Sequence, residues 1–395
     1  MPNNDIIFIS DVDWNTEREL PVHHVVRLLA NHHRIIYIDN FGGIRRLRLK
    51  DLPRILSKVR EILKQQFVYS SRTLGGIGSI HVFQPFIFPT QRFNKIIGKL
   101  NAFLMRRAIK RLISHYEVKD ALIWTRVPSD TVWKAIEGIP RSALIYQSVD
   151  RFFASPTIPR HARSRLQKYE LLFSNSADII FTSAVGLYNE KCLINPHTHF
   201  APNGVDTTLF SPQIRSNNAM SGFPRPIIGF IGSLSQVVDY EMLYQLAAMT
   251  PEWSYVFVGP ISPDVELDYF KEVQNVYFMG PVKHADLPSY VAAFDCGLIP
   301  YVISEFTEFT FPSKFAEYLA TGLPIVATRL PELQQYSDVV SFVDNHVNMV
   351  EAIRSSLNDR SSQKLREKRT GIAQTLNWIE IVSRMEETIE YYLKK

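Results

Sequence analysis

The stretch that most constrains this chain runs from Thr310 to Leu333, where a helix start, a helix stop and a buried strand follow one another. Pro312 and Ser313 predict the start of the helix, with the Ser313 hydroxyl as its N-cap. Gly322, soon followed by a proline, predicts the end of the helix. The apolar residues 325–327 then predict a short buried strand. The stretch therefore places a helix of about two turns directly before a strand.

Two charged residues lie on one face of this predicted helix, Lys314 at its start and Glu317 one turn later. A helix N-terminus offers free N–H groups and the positive end of the helix dipole, so it attracts phosphate, and Lys314 adds a full charge there. Glu317 is placed to accept hydrogen bonds from vicinal hydroxyls such as those of a ribose. Together they predict one end of a nucleotide-sugar pocket. The alternative is an ordinary surface ion pair worth roughly 0.2–0.5 kcal/mol, which is the more common meaning of such a pair taken alone.

A resemblance favours the pocket. The run PSKFAEYLATGLPIVAT, residues 312–328, resembles the donor-site signature of GT-B glycosyltransferases, especially family 4 enzymes of bacterial cell-surface polysaccharides, including those of the teichuronic-acid type. The segment PNGVDTTLF, residues 202–210, is similar to the crossing between their two domains. The resemblance covers nearly the whole chain in the order of its elements, strongly from Ala201 onward and loosely before it. It implies an α/β fold with two Rossmann-like domains facing a cleft, the donor bound by the second domain and the acceptor by the first.

Length and composition agree with two domains, because 395 residues with 46% hydrophobic and 21% charged residues suffice for two cores. We expect a first domain at 1–205, a linker at 206–225, a second domain at 226–374 and, as the resemblance implies, a C-terminal helix at 375–395 that crosses back to the first. The 2 cysteines stand far apart, so reduced thiols are expected. No signal peptide and no apolar run long enough to span a bilayer are present, which predicts a cytoplasmic protein.

The first domain opens with a strand, a helix and a strand but lacks the G-x-G-x-x-G fingerprint of dinucleotide binding. Asp13, Trp14 and His23 follow its first strand, Arg126 ends a later one, and Asp150 follows the next. Ligands bind at this edge of α/β sheets, so we expect these residues on the acceptor side. If transfer inverts the sugar, a carboxylate has to accept the acceptor's proton, and Asp150 and Asp13 are the candidates. A turn-capping aspartate and a helix-capping or solvent-exposed histidine are the alternatives.

The residues expected at the donor lie in the turns after strands of the second domain and in the signature. They are Gly232, Ser233, Gly259, Pro260, Glu308, Pro312, Ser313, Lys314 and Glu317. The resembling enzymes carry an arginine where this chain has Ser233 and a glutamate where it has Phe309. Phosphate charge therefore falls mainly to Lys314, which we expect to stabilise the leaving group in catalysis, while Glu308 is the nearby carboxylate for the donor sugar. No carboxylate pair is placed for a metal in this half, so neither a metal nor another cofactor is expected.

Two basic, amphipathic segments break the α/β pattern, at residues 44–65 and 91–115. Such helices suit an anionic membrane surface, where each basic residue contributes about 1 kcal/mol. We therefore expect a peripheral protein on the inner face of the plasma membrane. The alternative is a pair of solvated helices whose apolar stripes pack on the sheet. Nucleic acid is not expected as a partner, because neither segment belongs to a recognised nucleic-acid-binding module.

These observations predict a hexosyltransferase that moves a sugar from a nucleotide-sugar donor to a glycan or lipid-linked acceptor in cell-surface polysaccharide biosynthesis. The nucleotide, UDP, GDP or dTDP, stays open. Two other functions also remain. One is a GT-B sugar-nucleotide epimerase, and the other is a catalytically silent subunit that binds a polysaccharide-assembly partner or a membrane.

Overall fold

The structure is a computed structural model and describes residues 5–16, 18–39, 69–72, 79–85, 87–88, 95–216 and 220–394. The first predicted basic segment, 44–65, lies outside the described residues, as do residues 91–94 of the second. Two sheets form the framework, each with helices packed against it. We call the first sheet with its helices the first lobe, and the second sheet with its helices the second lobe.

Within the described residues, the first sheet contains eight strands. They are β1 (Ile6–Ser10), β2 (Arg34–Asp39), β3 (Tyr69–Arg72), β4 (Ser79–Phe83), β5 (Leu122–Thr125), β6 (Ala143–Ser148), β7 (Ile179–Thr182) and β8 (Thr198–Phe200). Their order in the sheet is β3-β4-β2-β1-β5-β6-β7-β8, and every pair is parallel except β3 with β4. The polar run YSSR of β3 and the three residues of β8 lack the apolar pattern from which a sequence predicts a buried strand.

Both faces of this sheet are covered, which explains why β1 is apolar throughout rather than alternating. Ile6 and Phe8 point into one core, and Ile7 and Ile9 point into the core on the other face. The helices of this half of the chain are α1 (Pro21–Leu29), α2 (Lys95–His115), α3 (Asp130–Ile136), α4 (Arg160–Ser176) and α5 (Val185–Cys192).

The second sheet contains six parallel strands in the order β11-β10-β9-β12-β13-β14. They are β9 (Ile227–Ile231), β10 (Ser254–Val258), β11 (Val276–Gly280), β12 (Cys296–Ile299), β13 (Ile325–Thr328) and β14 (Val340–Val343). Its helices are α6 (Tyr240–Met249), α7 (Leu287–Val291), α8 (Ser313–Thr321), α9 (His346–Asn358) and α10 (Gln363–Thr375). Helix α8 and strand β13 are the helix and strand predicted in the signature.

The C-terminal helix α11 (Trp378–Leu393) leaves the second lobe and packs into the first. Its apolar stripe, which includes Trp378, Met385 and Ile389, joins the core formed by Ile6 and Phe8. The chain enters this helix through a short bridge in which the N–H of Val205 donates to the Leu376 carbonyl at 2.9 Å. The predicted crossing helix is therefore confirmed, while the exact domain boundaries remain a prediction. Within the described residues no helix is both long and apolar enough to cross a membrane.

Candidate functional site

The start of helix α8 differs in one respect from the prediction. Pro312 occupies the N-cap with extended backbone, and Ser313 is the first helical residue, so the prediction of Ser313 as the N-cap was wrong. No side chain caps this end, because proline has no side-chain acceptor. Gly322 ends the helix at a φ of 75°, the left-handed conformation that favours glycine, as predicted. The uncapped N–H groups of the first turn are therefore left for a ligand.

Lys314 lies in this first turn with only 7% of the residue exposed. Its ammonium donates to the Tyr301 hydroxyl at 2.9 Å and lies 3.7 Å from the centre of the Phe230 ring. Burial lowers the pKa of Lys314 to about 7, against the opposing effect of the Glu317 carboxylate. A buried amine whose contacts are a hydroxyl and aromatic rings gains most from an anion, so this geometry suits a phosphate.

Two glycines form the surface beside the Lys314 amine. Gly232 follows β9 with a φ of 112°, and a Cβ there would lie 3.2 Å from the Lys314 Nζ. Gly259 follows β10 with a φ of 150°, and a Cβ there would lie 2.0 Å from the Gly232 carbonyl oxygen. Ser233 is half-buried on the same turn, and the Pro260 carbonyl accepts from the N–H of residue 234 at 2.9 Å. The turns after β9 and β10 are thus tied together next to the amine.

Glu317 also points inward, with 15% of its side chain exposed. Its Oε1 lies 3.5 Å from the Nε2 of His284, a residue that the sequence analysis does not identify. The His284 ring in turn contacts the rings of Phe210 and His24, 5.6 and 5.8 Å away between centroids. Glu317 therefore contacts His284 of the second lobe, and the His284 ring in turn contacts His24 of the first lobe.

Glu308 is placed differently from the other residues predicted at the donor. It is exposed on a one-turn helix, Thr307–Phe309, and its role stays a prediction. Phe309, which stands where the resembling enzymes carry a glutamate, lies 3.4 Å beneath the guanidinium of Arg151. This position therefore contributes a contact between the lobes instead of a carboxylate.

In the first lobe, Asp150 lies beyond the carboxyl end of β6 and reaches the second lobe. Its Oδ1 accepts from the Thr310 hydroxyl at 3.3 Å, just before the signature helix. Burial raises the pKa of Asp150 to about 7, Arg126 and the Thr310 hydrogen bond oppose the rise, and Asp11 adds to it. A carboxyl group with such a pKa can accept a proton near neutral pH, as a general base has to.

The second candidate base, Asp13, folds back on its own loop, where its Oδ1 accepts from the N–H of Asn15 at 2.9 Å. Asp39, at the end of β2, is nearly fully buried and accepts from the N–H of Trp14 at 3.4 Å. Burial, followed by the negative charge of Asp13, raises the pKa of Asp39 to about 8. The sequence does not single out Asp39, because a polar residue that ends a short apolar run carries no signal of its own.

The three residues predicted on the acceptor side have different surroundings. Trp14 is buried in the core, with its ring 4.9 Å from that of Tyr37. His23 caps helix α1, because its Nδ1 accepts from the N–H of Leu20 at 2.9 Å, which is the capping alternative. Arg126 is buried, with 8% of the residue exposed, and lies at the end of β5, between β1 and β6. The Nε2 of His23 and the Nε and Nη1 of Arg126 are buried without a hydrogen-bond partner, and of these two side chains Arg126 is the one whose charge acts on Asp150.

A further contact holds the two lobes together beside the site. The Glu332 carboxylate of the second lobe accepts from the N–H groups of Val185 and Gly186, at 2.6 and 2.7 Å, at the start of helix α5. The Asn203 amide donates to the Phe311 carbonyl at 2.8 Å. Among the described residues, no group of three His, Cys, Asp or Glu side chains is arranged to hold a metal ion.

The sequence of the second lobe matches a known family. Residues 225–359 match the family described as Glycosyl transferases group 1. The chain is 28% identical over 271 residues to the Bacillus subtilis protein named as a teichuronic acid biosynthesis glycosyltransferase, TuaH, covering 62% of this chain and 68% of that one. It is 27% identical over 193 residues to a GDP-mannose-dependent alpha-mannosyltransferase of Mycolicibacterium smegmatis, covering 48% of this chain and 49% of that protein.

Solved structures match over almost the whole chain. The sucrose-phosphate synthase of Thermosynechococcus elongatus gives a TM-score of 0.74 at 16% identity and covers 98% of both chains. Anabaena HepE, solved in complex with UDP-glucose, gives 0.63 at 16% identity and covers 98% of this chain and 99% of its own. At such identities the likeness shows the fold alone, and it confirms the predicted pair of Rossmann-like domains with a C-terminal helix.

Proposed function

We propose that the chain is a GT-B glycosyltransferase of group 1, because residues 225–359 match that family and the whole chain has the GT-B fold. The proposed reaction transfers a hexose from a nucleotide sugar to a glycan or lipid-linked acceptor in cell-surface polysaccharide biosynthesis. The observation that carries the proposal is the buried Lys314 amine beside the uncapped start of α8. The relative named for teichuronic acid biosynthesis supports the pathway, and the UDP-glucose complex of HepE supports the donor class.

At the donor, the diphosphate binds between the first turn of α8 and the turns that carry Gly232 and Gly259. Lys314 and the free N–H groups stabilise the negative charge that develops on the leaving diphosphate. Because these donors are already in place, no solvent reorganisation is required. Glu317, held at the same end of the helix, accepts hydrogen bonds from the ribose hydroxyls. Residues 226–374 thus bind the donor, and residues 1–205 bind the acceptor.

At the acceptor, the reacting hydroxyl attacks the anomeric carbon as the bond from that carbon to the diphosphate breaks. If the sugar is inverted, the hydroxyl proton passes to a carboxylate, and Asp150 is the better placed of the two candidates. It lies at the junction of the lobes and has a pKa of about 7, whereas the Asp13 carboxylate accepts from its own loop. If the configuration is retained, the departing diphosphate takes the proton instead.

The test is a binding and turnover screen with UDP-, GDP- and dTDP-sugars, using wild type, Lys314→Ala and Lys271→Ala. Lys271 is the matched control, because it is an exposed lysine of the same lobe paired with Asp268. We expect Lys314→Ala to weaken donor binding by roughly tenfold to a hundredfold, the loss of one charge-assisted contact, and the control to match wild type. Unchanged binding by Lys314→Ala would refute the phosphate assignment.

The same screen separates the two other functions. Turnover of a sugar nucleotide without any acceptor identifies an epimerase. Failure to bind every sugar nucleotide identifies a catalytically silent subunit, for which the replacement of a family glutamate by Phe309 is the relevant observation. Transfer to an added acceptor supports the glycosyltransferase.

We extend the proposal to the membrane through helix α2, the described part of the second basic segment. Ile96, Leu100 and Phe103 are 78%, 44% and 61% exposed and recur on one face, whereas Met105 and Ile109 are buried in the core. Three exposed basic residues accompany that face, namely Lys99, Arg107 and Lys110. An exposed apolar stripe flanked by cations suits the anionic inner face of the plasma membrane.

Liposome flotation tests this attachment. We expect wild type to float with anionic vesicles at low salt and to be released as salt rises, because its charges are screened. Phe103→Asp should bind less, while an exposed change away from the helix, Glu351→Gln, should not alter binding. Binding that is independent of anionic lipid and of salt would contradict the proposal.

A further inference from the structure

Buried polar atoms without a partner gather at the carboxyl edge of the first sheet. Among the residues that the structure describes, they include Oδ1 of Asp11, Oδ1 of Asp39, Oγ of Ser148, and both Nε and Nη1 of Arg126. These residues lie at the ends of four adjacent strands, β2, β1, β5 and β6. A buried polar group without a partner costs about 1–3 kcal/mol, so such a cluster indicates a site that a ligand completes.

Arg126 is the member of this cluster for which the lack of a partner is most costly, because its side chain is charged. Its backbone N–H donates to the Ile9 carbonyl at 3.3 Å, which fixes it at the centre of the sheet edge. Only 8% of the residue is exposed, and its guanidinium stays charged at every physiological pH. Asp150, whose carboxyl group feels the charge of Arg126, accepts its hydrogen bond from Thr310 instead.

Other buried cations of the chain show what a structural role looks like. Arg369 is equally buried, and it donates to the carbonyl groups of Val339 and Gly322, each at 3.4 Å. Lys191 donates to the Glu170 carboxylate at 2.6 Å. Arg126 has no equivalent contact for its Nε and Nη1 within the described parts of the chain. These two nitrogens are therefore available to bind a ligand.

We propose that Arg126 binds an anionic group of the acceptor, a carboxylate or a phosphate, and so selects a negatively charged acceptor over a neutral one. The planar guanidinium matches either group with two parallel hydrogen bonds. Asp11, just beyond the neighbouring strand β1, accepts hydrogen bonds from hydroxyl groups of the same ligand through its unpartnered Oδ1, and Asp150 on the other side faces the reacting hydroxyl. The inference rests on the proposed function, because it names the acceptor class of that reaction.

Matched pairs of small ligands test the inference in the full chain, with UDP, GDP or dTDP present according to which sugar nucleotide binds in the screen. One pair is methyl glucuronide and methyl glucoside, and the other is glucose 6-phosphate and glucose, each titrated by ligand-observed NMR. We expect wild type to bind the charged member of at least one pair about tenfold more tightly, and the pair that responds distinguishes carboxylate from phosphate. Arg126→Gln should bind the two members of that pair equally.

Two further measurements distinguish ligand binding by Arg126 from a structural role, and the inference from the proposed function. Arg126→Met should melt at or above the wild-type temperature, because it removes a buried charge without a partner, and a lower melting temperature would indicate a structural arginine. Sugar-nucleotide binding, measured on the same samples, tests the proposed function separately. The inference is overturned if wild type shows no preference in either pair, including no binding at all, or if the preference survives in Arg126→Gln.

Discussion

The contact of Glu332 with helix α5 predicts how strongly the two lobes are held together. Its two carboxylate oxygens accept from Val185 and Gly186 in a nearly fully buried position, so the second lobe supplies the cap that α5 lacks. In Glu332→Gln the amide keeps the shape but offers a donor to one of these N–H groups. One charge-assisted hydrogen bond is worth about 1.5–3 kcal/mol, and the lost charge at a helix N-terminus adds about 0.3–1 kcal/mol. We therefore expect a loss of about 2–4 kcal/mol.

Because this contact joins the lobes, the loss should appear as easier separation as well as easier unfolding. Thermal denaturation should show a midpoint lower by a few degrees, and small-angle X-ray scattering should show a larger radius of gyration. Glu351→Gln, an exposed change on α9, is the control and should behave as wild type. A Glu332→Gln protein with both the wild-type midpoint and the wild-type scattering curve would refute this account of the lobe contact.

Three other changes test separate parts of the structure. Gly259→Ala should lower the free energy of unfolding by at least about 1–3 kcal/mol in urea titrations, because its φ is 150° and its Cβ would overlap the Gly232 carbonyl; a neutral result would contradict that geometry. Trp378→Ala should lower the free energy of unfolding by about 3–5 kcal/mol in the same titrations, since the ring is buried in the first-lobe core. A loss below about 1 kcal/mol would indicate that the ring is not part of that core. Asp150→Asn should lower turnover roughly 10²–10⁴-fold and remove a rise in rate as pH passes about 7, if Asp150 is the base; an unchanged pH profile would exclude it.

The sequence predicted the features whose signals are local. Gly322 and the proline after it marked the end of α8, while the donor-binding role expected from the charge and spacing of Lys314 and Glu317 stays a prediction. Ser313 was misjudged by one position, because serine before an apolar run is a common N-cap while Pro312 is already held in extended backbone. His23 took the capping role that the sequence left open.

Residues whose partners lie far away in the sequence could not be identified from the sequence alone. Glu332 contacts an N–H group 147 positions earlier in the chain, and His284 contacts Glu317 of α8 from a turn 33 positions earlier. The unpaired state of Arg126 is likewise a property of what surrounds it, which periodicity and motif cannot show. The fold was therefore predictable, whereas the lobe contact and the unpartnered polar atoms at the carboxyl edge of the first sheet required the structure.

If Lys314 supplies the charge that holds the donor diphosphate, binding of the sugar nucleotide should be accompanied by proton uptake. Free Lys314 has a pKa of about 7, so it is mostly neutral at pH 8, and a bound diphosphate favours its charged form. The diphosphate of a nucleotide sugar is esterified at both ends and exchanges no proton near this pH.

Calorimetry at pH 8 in buffers of different ionisation enthalpy, with the sugar nucleotide that binds most tightly, should therefore show uptake of close to one proton by wild type and none by Lys314→Arg, whose guanidinium is always charged. Binding by wild type without proton uptake, or equal uptake by the arginine variant, would contradict the account.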